Sequence, residues 1–202
     1  MTETPTLICL LGSPRRRGNS DTLAAEVCRG FNEAGGTSRQ IALSSLDLQP
    51  CNACDWCKTD HPDPEPCVIQ DDMQRVYDEM LAASAILWAT PIYSWAPTVE
   101  MKTVLDRQFA WGEYQSTHHA RALAGRPVGL AVTYADPDPV SNGFYHCYHI
   151  LRIVATASGG RVAGCVHGAA GDPGGIVHQP DVIEAARALG HKLFHLSPAR
   201  SE

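Results

Sequence analysis

The chain has 202 residues, of which 44% are hydrophobic and 19% charged, a composition typical of a folded domain and not of a disordered chain. Its net charge is -6, without a long basic stripe, which excludes nucleic acid as the main partner. The longest apolar stretch, Leu81 to Ile92, is too short to span a bilayer and contains Pro91. Because Met1 to Pro5 lack the features of a signal peptide, we expect a soluble cytoplasmic protein that does not bind membranes.

The chain begins with a strand, a polar loop and a helix. Thr6 to Leu11 is a continuous apolar run, typical of a strand that is buried on both faces of a parallel sheet. The loop Gly12 to Ser20 follows, and we expect Asn19 or Ser20 to cap the helix after it. The apolar stripe of this helix recurs every four residues, at Leu23, Val27 and Phe31.

The same alternation continues to the end of the chain. The predicted later strands are Arg39 to Leu43, Ala85 to Ala89, Pro127 to Tyr134 and Arg161 to His167. The second predicted helix begins at Asp71 or Asp72. The other three cover Thr98 to Phe109, Phe144 to Ser158 and Pro180 to Leu196. Five strands alternating with five helices predict an α/β protein, a flavodoxin-like three-layer sandwich around a five-stranded parallel sheet of order 2-1-3-4-5. We expect one domain over 1–202, with a cysteine-rich loop at 44–70.

Two loops should meet where the order of the sheet reverses, at the carboxyl ends of the first and third strands. The loop Gly12 to Ser20 contains hydroxyl, amide and guanidinium groups at a helix N-terminus, a combination that favours an anionic phosphate. The alternative is a basic solvated turn. The loop Thr90 to Pro97 offers the flat side chains of Tyr93 and Trp95 for stacking against a planar ring, or as a cover for the sheet edge.

Four cysteines, Cys51, Cys54, Cys57 and Cys67, fall within 17 residues of the long loop. The first three have the spacing that binds a [4Fe-4S] cluster, with Cys67 as a fourth ligand. Zinc is a second interpretation, and a loop without metal that forms a redox disulfide is a third. Cys9, Cys28, Cys147 and Cys165 have apolar neighbours, and we expect them to be small buried side chains.

These motifs together resemble a known family. Gly12-Ser13-Pro14-Arg15 followed by Gly18-Asn19-Ser20 resembles the FMN phosphate loop of the NAD(P)H-dependent FMN reductases, a flavodoxin-fold family that includes the iron–sulfur flavoproteins. The resemblance extends to the cysteine triplet and to three further segments: Cys67 to Met73, Thr90-Pro91-Ile92-Tyr93 and Lys102 to Arg107. The gap of nine residues between Cys57 and Cys67 is longer than is usual in the iron–sulfur flavoproteins.

The resemblance implies an FMN-dependent NAD(P)H oxidoreductase that passes electrons to a small acceptor, such as a quinone, a nitro compound or free flavin. It implies two groups of FMN-binding residues: Ser13, Arg15, Asn19, Ser20 and Thr22 at the phosphate, and Pro91, Ile92, Tyr93, Ser94, Trp95 and Tyr134 at the ring. NAD(P)H would be a transient co-substrate that shares one pocket with the acceptor, which predicts ping-pong kinetics. The alternative is an electron carrier with FMN and a [4Fe-4S] cluster that accepts electrons from a ferredoxin-like donor.

Enzymes of this kind are commonly homodimers or homotetramers, and we expect Trp95, Trp111 and Tyr114 to be exposed aromatic residues at such an interface. We interpret Lys102, Asp106 and Arg107 as structural residues that form surface or dimer contacts on one helix. Two histidine pairs are left without a firm role. His118-His119 suit a dimer or substrate loop, and the i, i+3 pair His146 and His149 suits a metal, a proton relay or an exposed aromatic helix face.

Overall fold

The computed structural model describes residues 4–59, 66–111, 121–138 and 140–197. The strands of this part of the chain are β1 (Thr6–Leu11), β2 (Thr37–Ala42), β3 (Ala85–Tyr93), β4 (Ala96–Pro97), β5 (Pro127–Tyr134) and β6 (Arg161–Ala169). The α-helices are α1 (Asn19–Glu33), α2 (Met73–Ala82), α3 (Val99–Arg107), α4 (Phe144–Ala157) and α5 (Pro180–Leu196). None of the described helices is long and apolar enough to cross a membrane.

The five long strands form one parallel sheet in the order β2-β1-β3-β5-β6. The two-residue strand β4 folds back on β3 and pairs with it antiparallel. The order of the long strands is therefore the predicted 2-1-3-4-5, and the prediction of a flavodoxin-like sheet is confirmed. The order reverses between β1 and β3, so their carboxyl ends border the crevice in which α/β proteins bind ligands.

Helices cover both faces of the sheet. Leu7 and Cys9 of β1 pack with α1 and α5 on one face, and Ile8 and Leu10 pack with α2, α3 and α4 on the other. Because alternate residues of a strand point to opposite faces, burial on both sides requires an apolar residue at every position. This requirement explains the uninterrupted apolar sequence of β1.

Two glycines allow α1 and α5 to pack with their backbones in contact. A Cβ atom on Gly30 would lie 2.1 Å from the carbonyl oxygen of Arg187, and one on Gly190 would lie 2.1 Å from that of Val27. No side chain fits at these distances. The close crossing supports α1, the helix whose N-terminus borders the crevice.

The end of α3 differs from the prediction. The helix begins after Thr98, whose side chain accepts a hydrogen bond from the backbone N–H of Met101, and it ends at Arg107 instead of continuing to Phe109. A 3-10 turn, Gln108–Trp111, follows. In this turn, which is wound more tightly than an α-helix, Phe109 is exposed and Trp111 is fully buried. The expectation that Trp111 is an exposed aromatic residue was therefore wrong.

Candidate functional site

A cleft of about 350 Å³ lies at the carboxyl ends of β1, β3, β5 and β6. Its volume falls within the range of cofactor sites. The lining comes from four loops and includes Ser13, Arg15, Gly18, Asn19, Ser20, Pro91, Ile92, Tyr93, Thr133, Tyr134, Ala135, Ala170, Gly171 and Pro173. Eight of the eleven residues expected to bind FMN therefore line one cleft; Thr22, Ser94 and Trp95 do not.

The loop after β1 presents the N-terminus of α1 to the cleft. The hydroxyl of the buried Ser13 accepts a hydrogen bond from the N–H of Arg15 and donates one to its carbonyl oxygen, which closes the turn. Gly18 precedes the helix, and no side chain caps it, so the expected cap by Asn19 or Ser20 is not formed. The side chain of Ser20 is buried in the first turn. The first-turn amides and these hydroxyls form an environment suited to an anion.

Asp21, in the first turn of α1, has a half-buried carboxylate that lies near the backbone N–H groups of Arg17 and Gly18. Burial raises the pKa of Asp21, although these backbone donors partly offset the rise. The exposed Arg15 lies at the cleft, whereas Arg16 and Arg17 line a separate depression on the far side of the loop.

Asn19 connects the first loop of the cleft to the last. Its amide nitrogen Nδ2 donates to the carbonyl oxygens of Ala170 and Asp172, at 2.9 Å each, and its Oδ1 accepts from the N–H of Ile176 at 3.2 Å. These three bonds use the polar atoms of the side chain. Asn19 therefore fixes the loop after β6, which forms one wall of the cleft.

Thr22 lies outside the cleft. Its hydroxyl donates to the carbonyl oxygen of Gly18 at 3.2 Å, one turn back along α1. It lines the depression that also contains Arg16 and Arg17. Thr22 thus faces away from the side of the loop where the other candidate phosphate ligands lie.

Strand β3 continues to Tyr93, four residues beyond the predicted end, and carries Pro91, Ile92 and Tyr93 into the cleft. Ser94 and Trp95 then form the turn of the hairpin, both with positive φ angles, 46° and 63°. The Trp95 indole nitrogen Nε1 donates to the carbonyl oxygen of Ser141 at 2.8 Å. Trp95 is 64% exposed, as expected for a surface aromatic residue, but it lies outside the cleft.

Tyr134 and His167 form a hydrogen-bonded pair beside the cleft, at the ends of β5 and β6. The phenolic oxygen of Tyr134 lies 2.7 Å from Nδ1 of His167, and the ring of Phe144 packs 3.9 Å from the imidazole, centroid to centroid. Burial lowers the pKa of His167 and raises the pKa of Tyr134, so both groups favour their neutral forms.

The sequence analysis missed the loop after β6, which supplies Ala170, Gly171 and Pro173 to the cleft. The available signal was a run of turn-forming residues, Gly171-Asp172-Pro173-Gly174-Gly175, which begins four residues after the end of the last predicted strand. Because all carboxyl ends of a parallel sheet lie at one edge, this run belongs to the same edge as the first two loops.

The four clustered cysteines line a second cavity, of about 210 Å³. Cys51 and Cys54 are exposed, and Cys57 and Cys67 are half-buried. Burial raises the pKa of Cys57, and the neighbouring thiols of Cys67, Cys51 and Cys54 raise it further. Among the residues that the structure describes, no three His, Cys, Asp or Glu side chains are grouped as ligands of one metal ion. The thiols surround a cavity instead of converging on one point.

A buried ion pair holds the base of the cysteine loop. Arg107 and Asp71 lie 2.8 Å apart, with 1% and 0% of their side chains exposed. Arg107 also donates to the carbonyl oxygens of Gln49 and Ile69, one on each side of the loop. The role of Arg107 is structural, as predicted, but its expected position at the surface was wrong. Lys102 and Asp106 do form an exposed pair at 2.6 Å. Arg107 lines the cysteine cavity.

The remaining candidate residues do not enter either cavity. His146 and His149 are exposed on α4, and they are not part of any three-ligand group in the described ranges. Tyr114, His118 and His119 lie outside the described residues. Of the four scattered cysteines, Cys9, Cys28 and Cys147 are buried as expected, and Cys165 is half-buried.

The sheet order and the cleft at its switch point define an α/β protein of the flavodoxin-like class. Residues 5–188 match the family model of NADPH-dependent FMN reductases, and the chain belongs to this family. The chain is similar to the solved structure of an NAD(P)H:quinone oxidoreductase from Methanothermobacter marburgensis, with a TM-score of 0.68 and 15% identity over 95% of this chain and 98% of that one.

Two curated proteins with similar sequences have different names. An iron–sulfur flavoprotein of Methanosarcina thermophila is 32% identical over 96 residues, 48% of each chain. YwqN of Bacillus subtilis, provisionally named an NAD(P)H-dependent FMN-containing oxidoreductase, is 24% identical over 88% of this chain and 92% of its own. The chain thus spans about half the length of the iron–sulfur flavoprotein that it matches.

Proposed function

We propose that this protein binds FMN in the four-loop cleft and transfers electrons from NAD(P)H to a small acceptor. The observation that carries the proposal is the meeting of anion donors and apolar ring-binding groups in one 350 Å³ cleft of an FMN reductase family member. When bound, FMN supplies the redox chemistry, because its N5 atom accepts a hydride. The protein therefore needs to position the cofactor, and no side-chain nucleophile is required.

The residues of the cleft divide into two groups with different tasks. Arg15, Ser20 and the N-terminus of α1 would bind the phosphate through hydrogen bonds and charge, and Ser13 would hold the shape of the loop through its bonds with Arg15. Pro91, Ile92, Tyr93 and Tyr134 would contact the ring. Asn19 would act indirectly, by holding the loop after β6.

The nicotinamide and the acceptor would use the same open face of the ring in turn. The family description names NADPH as the donor, which supports the nicotinamide half of the proposal. Alternating use of one site predicts parallel double-reciprocal lines when both substrates are varied. Intersecting lines would contradict it. Quinones, nitro compounds and free flavin are the acceptors to compare.

Paired arginine variants test the phosphate site. We expect Arg15→Ala to weaken FMN binding about tenfold, the effect of losing one charge-assisted hydrogen bond. Riboflavin, which has no phosphate, should bind equally to Arg15→Ala and the parent chain. Arg16→Ala is the matched control, because Arg16 lies outside the cleft. Equal losses for FMN and riboflavin, or equal effects of the two variants, would contradict the assignment.

We further propose that the cysteine loop binds a [4Fe-4S] cluster, which would allow single-electron exchange with a ferredoxin-like donor. The supporting observation is that all four cysteines line one 210 Å³ cavity beside the buried Arg107, whose Nε donor has no hydrogen-bond partner among the described residues. Each thiolate of such a cluster binds a different iron, so the ligands surround a volume. Iron and acid-labile sulfide in anaerobically purified protein, about four of each per chain, test the proposal.

We also propose that the chain assembles into a homodimer or homotetramer in the cytoplasm. Trp95, in the turn between β3 and β4, and Tyr145, in the first turn of α4, are large apolar side chains that are each 64% exposed. The exposed thiols of Cys51 and Cys54 suit a reducing compartment. Light scattering of the FMN-loaded protein measures the assembly, and a monomeric mass would contradict this part.

A further inference from the structure

The guanidinium of Arg107 uses all but one of its donor groups on the protein itself. Its two terminal nitrogens donate to both oxygens of Asp71, at 2.8 and 3.2 Å, and to the carbonyl oxygens of Gln49 and Ile69, at 3.0 and 3.2 Å. Nε has no hydrogen-bond partner in the described part of the chain. A buried donor without a partner is unfavourable, and Arg107 is 3% exposed.

The unpartnered donor belongs to a residue that lines the cysteine cavity. Burial lowers the pKa of Arg107, but its hydrogen bonds to Asp71 and the nearby charges of Tyr77 and Cys67 raise it above its ordinary value. The fork of terminal nitrogens is fixed on Asp71 and the loop carbonyls, so Nε is the donor of Arg107 that is left without a partner in the described residues. Sulfur of a thiolate or of a cluster accepts such bonds.

We propose that Arg107 is a positioning residue that donates its Nε–H to the sulfur of the iron–sulfur centre and raises the reduction potential of that centre. The proposal rests on the cluster proposed above. Reduction adds negative charge to the centre, and hydrogen bonds to sulfur stabilise that charge. Asp71 balances the charge of Arg107, so the ion pair as a whole presents a directed donor without adding net charge at the cavity.

Three variants separate this role from a purely structural one. Arg107→Lys keeps the charge and removes the Nε donor. Asp71→Asn keeps the shape of the side chain and leaves the charge of Arg107 uncompensated. Arg126→Lys is the matched control, because Arg126 also donates to backbone carbonyl oxygens, those of Leu81, Ala83 and Ala122, and does not line the cysteine cavity.

The measurement is a redox titration of the iron–sulfur centre in the intact holoprotein, followed by EPR, with bound FMN measured as a check on folding. We expect Arg107→Lys to lower the potential enough for a tenfold smaller reduced-to-oxidised ratio, about 59 mV for a one-electron couple. Asp71→Asn should raise the potential, and Arg126→Lys should leave it unchanged. If Arg107 and Asp71 only hold the loop together, both variants would loosen it and admit water. The reduction potentials of the two variants would then shift in the same direction.

The outcomes for the two proposals are distinguishable. A shift of the Arg107 and Asp71 variants in the same direction, or an Arg107→Lys potential equal to that of Arg126→Lys, overturns the role of Arg107 and leaves the cluster proposal intact. If Arg107→Lys loses its iron, the reduction potential of Asp71→Asn becomes the test. A potential that is unchanged or lowered in Asp71→Asn then overturns the positioning role of Arg107. A parent chain without iron and sulfide overturns the cluster and, with it, this inference.

Discussion

The phenolic oxygen of Tyr134 lies 2.7 Å from Nδ1 of His167, and this hydrogen bond joins the carboxyl ends of β5 and β6 beside the cleft. The two residues are 33 positions apart in sequence. The Phe144 ring packs against the imidazole, with 3.9 Å between the ring centroids. The pair therefore couples the wall of the candidate cofactor site to an imidazole whose pKa is lowered from its ordinary value.

The stability of the protein should decrease as the pH is lowered, because of His167. Folding lowers the pKa of this side chain from its ordinary value of 6.5, since burial disfavours the imidazolium. The unfolded chain then binds a proton first as the pH falls, so stability present above pH 6.5 is lost as the pH falls towards the folded pKa. Urea unfolding between pH 7.5 and 5 should show a smaller decrease in His167→Gln than in the parent chain. The exposed His178→Gln is the control, and equal slopes in all three proteins would contradict the prediction.

Asn19→Ala should lower both stability and FMN affinity. The variant loses three hydrogen bonds to the loop after β6, and we expect a decrease of about 1–3 kcal/mol in the free energy of unfolding. Asn19→Asp keeps the acceptor for the N–H of Ile176 but places a carboxylate oxygen against the carbonyl oxygens of Ala170 and Asp172, so it should be at least as destabilising as Asn19→Ala. Denaturant unfolding without and with FMN measures both effects. An Asn19→Ala chain as stable as the parent would refute the positioning role.

Thr98→Val should destabilise the fold although it preserves the shape of the side chain. The buried hydroxyl donates to the carbonyl oxygen of Gly12 at 2.6 Å and accepts from the N–H of Met101, so it joins α3 to the loop after β1. Valine leaves both groups without this partner, at a cost of about 1–3 kcal/mol. Thr156→Val, on the exposed face of α4, should change stability much less. Similar losses of stability in the two variants would contradict the contribution assigned to the buried hydrogen bonds of Thr98.

Gly190→Ala should be among the most destabilising single substitutions in α5. The new Cβ would lie 2.1 Å from the carbonyl oxygen of Val27, so the two helices must separate, at a cost of at least about 2 kcal/mol. Gly171→Ala meets no atom within 4 Å and serves as the control. Thermal unfolding compares them. If Gly190→Ala unfolds at the same temperature as Gly171→Ala, the result would argue against the close crossing of α1 and α5.

The parallel sheet was predictable because strands that are buried on both faces have uninterrupted apolar sequences, and its order followed from the alternation of five strands with five helices. The apolar runs of β1 and β5 could form only strands covered by helices on both sides. The meeting of the loops after β1 and β3 followed from the topology alone. The glycine run after β6 obeys the same rule, and applying it to every strand would have found the fourth wall of the cleft.

The errors concern side chains whose environment is set by residues distant in sequence. Arg107 has the helical spacing of a surface residue, and its burial depends on Asp71, 36 positions earlier. Trp95 follows a strand that leads into the cleft, but two residues with positive φ reverse the chain and turn the indole towards Ser141. Helical and strand periodicity contain no information about such long-range contacts or tight turns.

The flavin content of the purified protein tests the central proposal most directly. Protein prepared without oxygen and supplied with FMN should retain about one flavin per chain after gel filtration, and NADPH or NADH should bleach its absorbance near 450 nm under anaerobic conditions. Arg15→Ala should retain less FMN than Arg16→Ala. A parent chain that binds no FMN, while circular dichroism shows it folded, would contradict the assignment of the four-loop cleft as a flavin site.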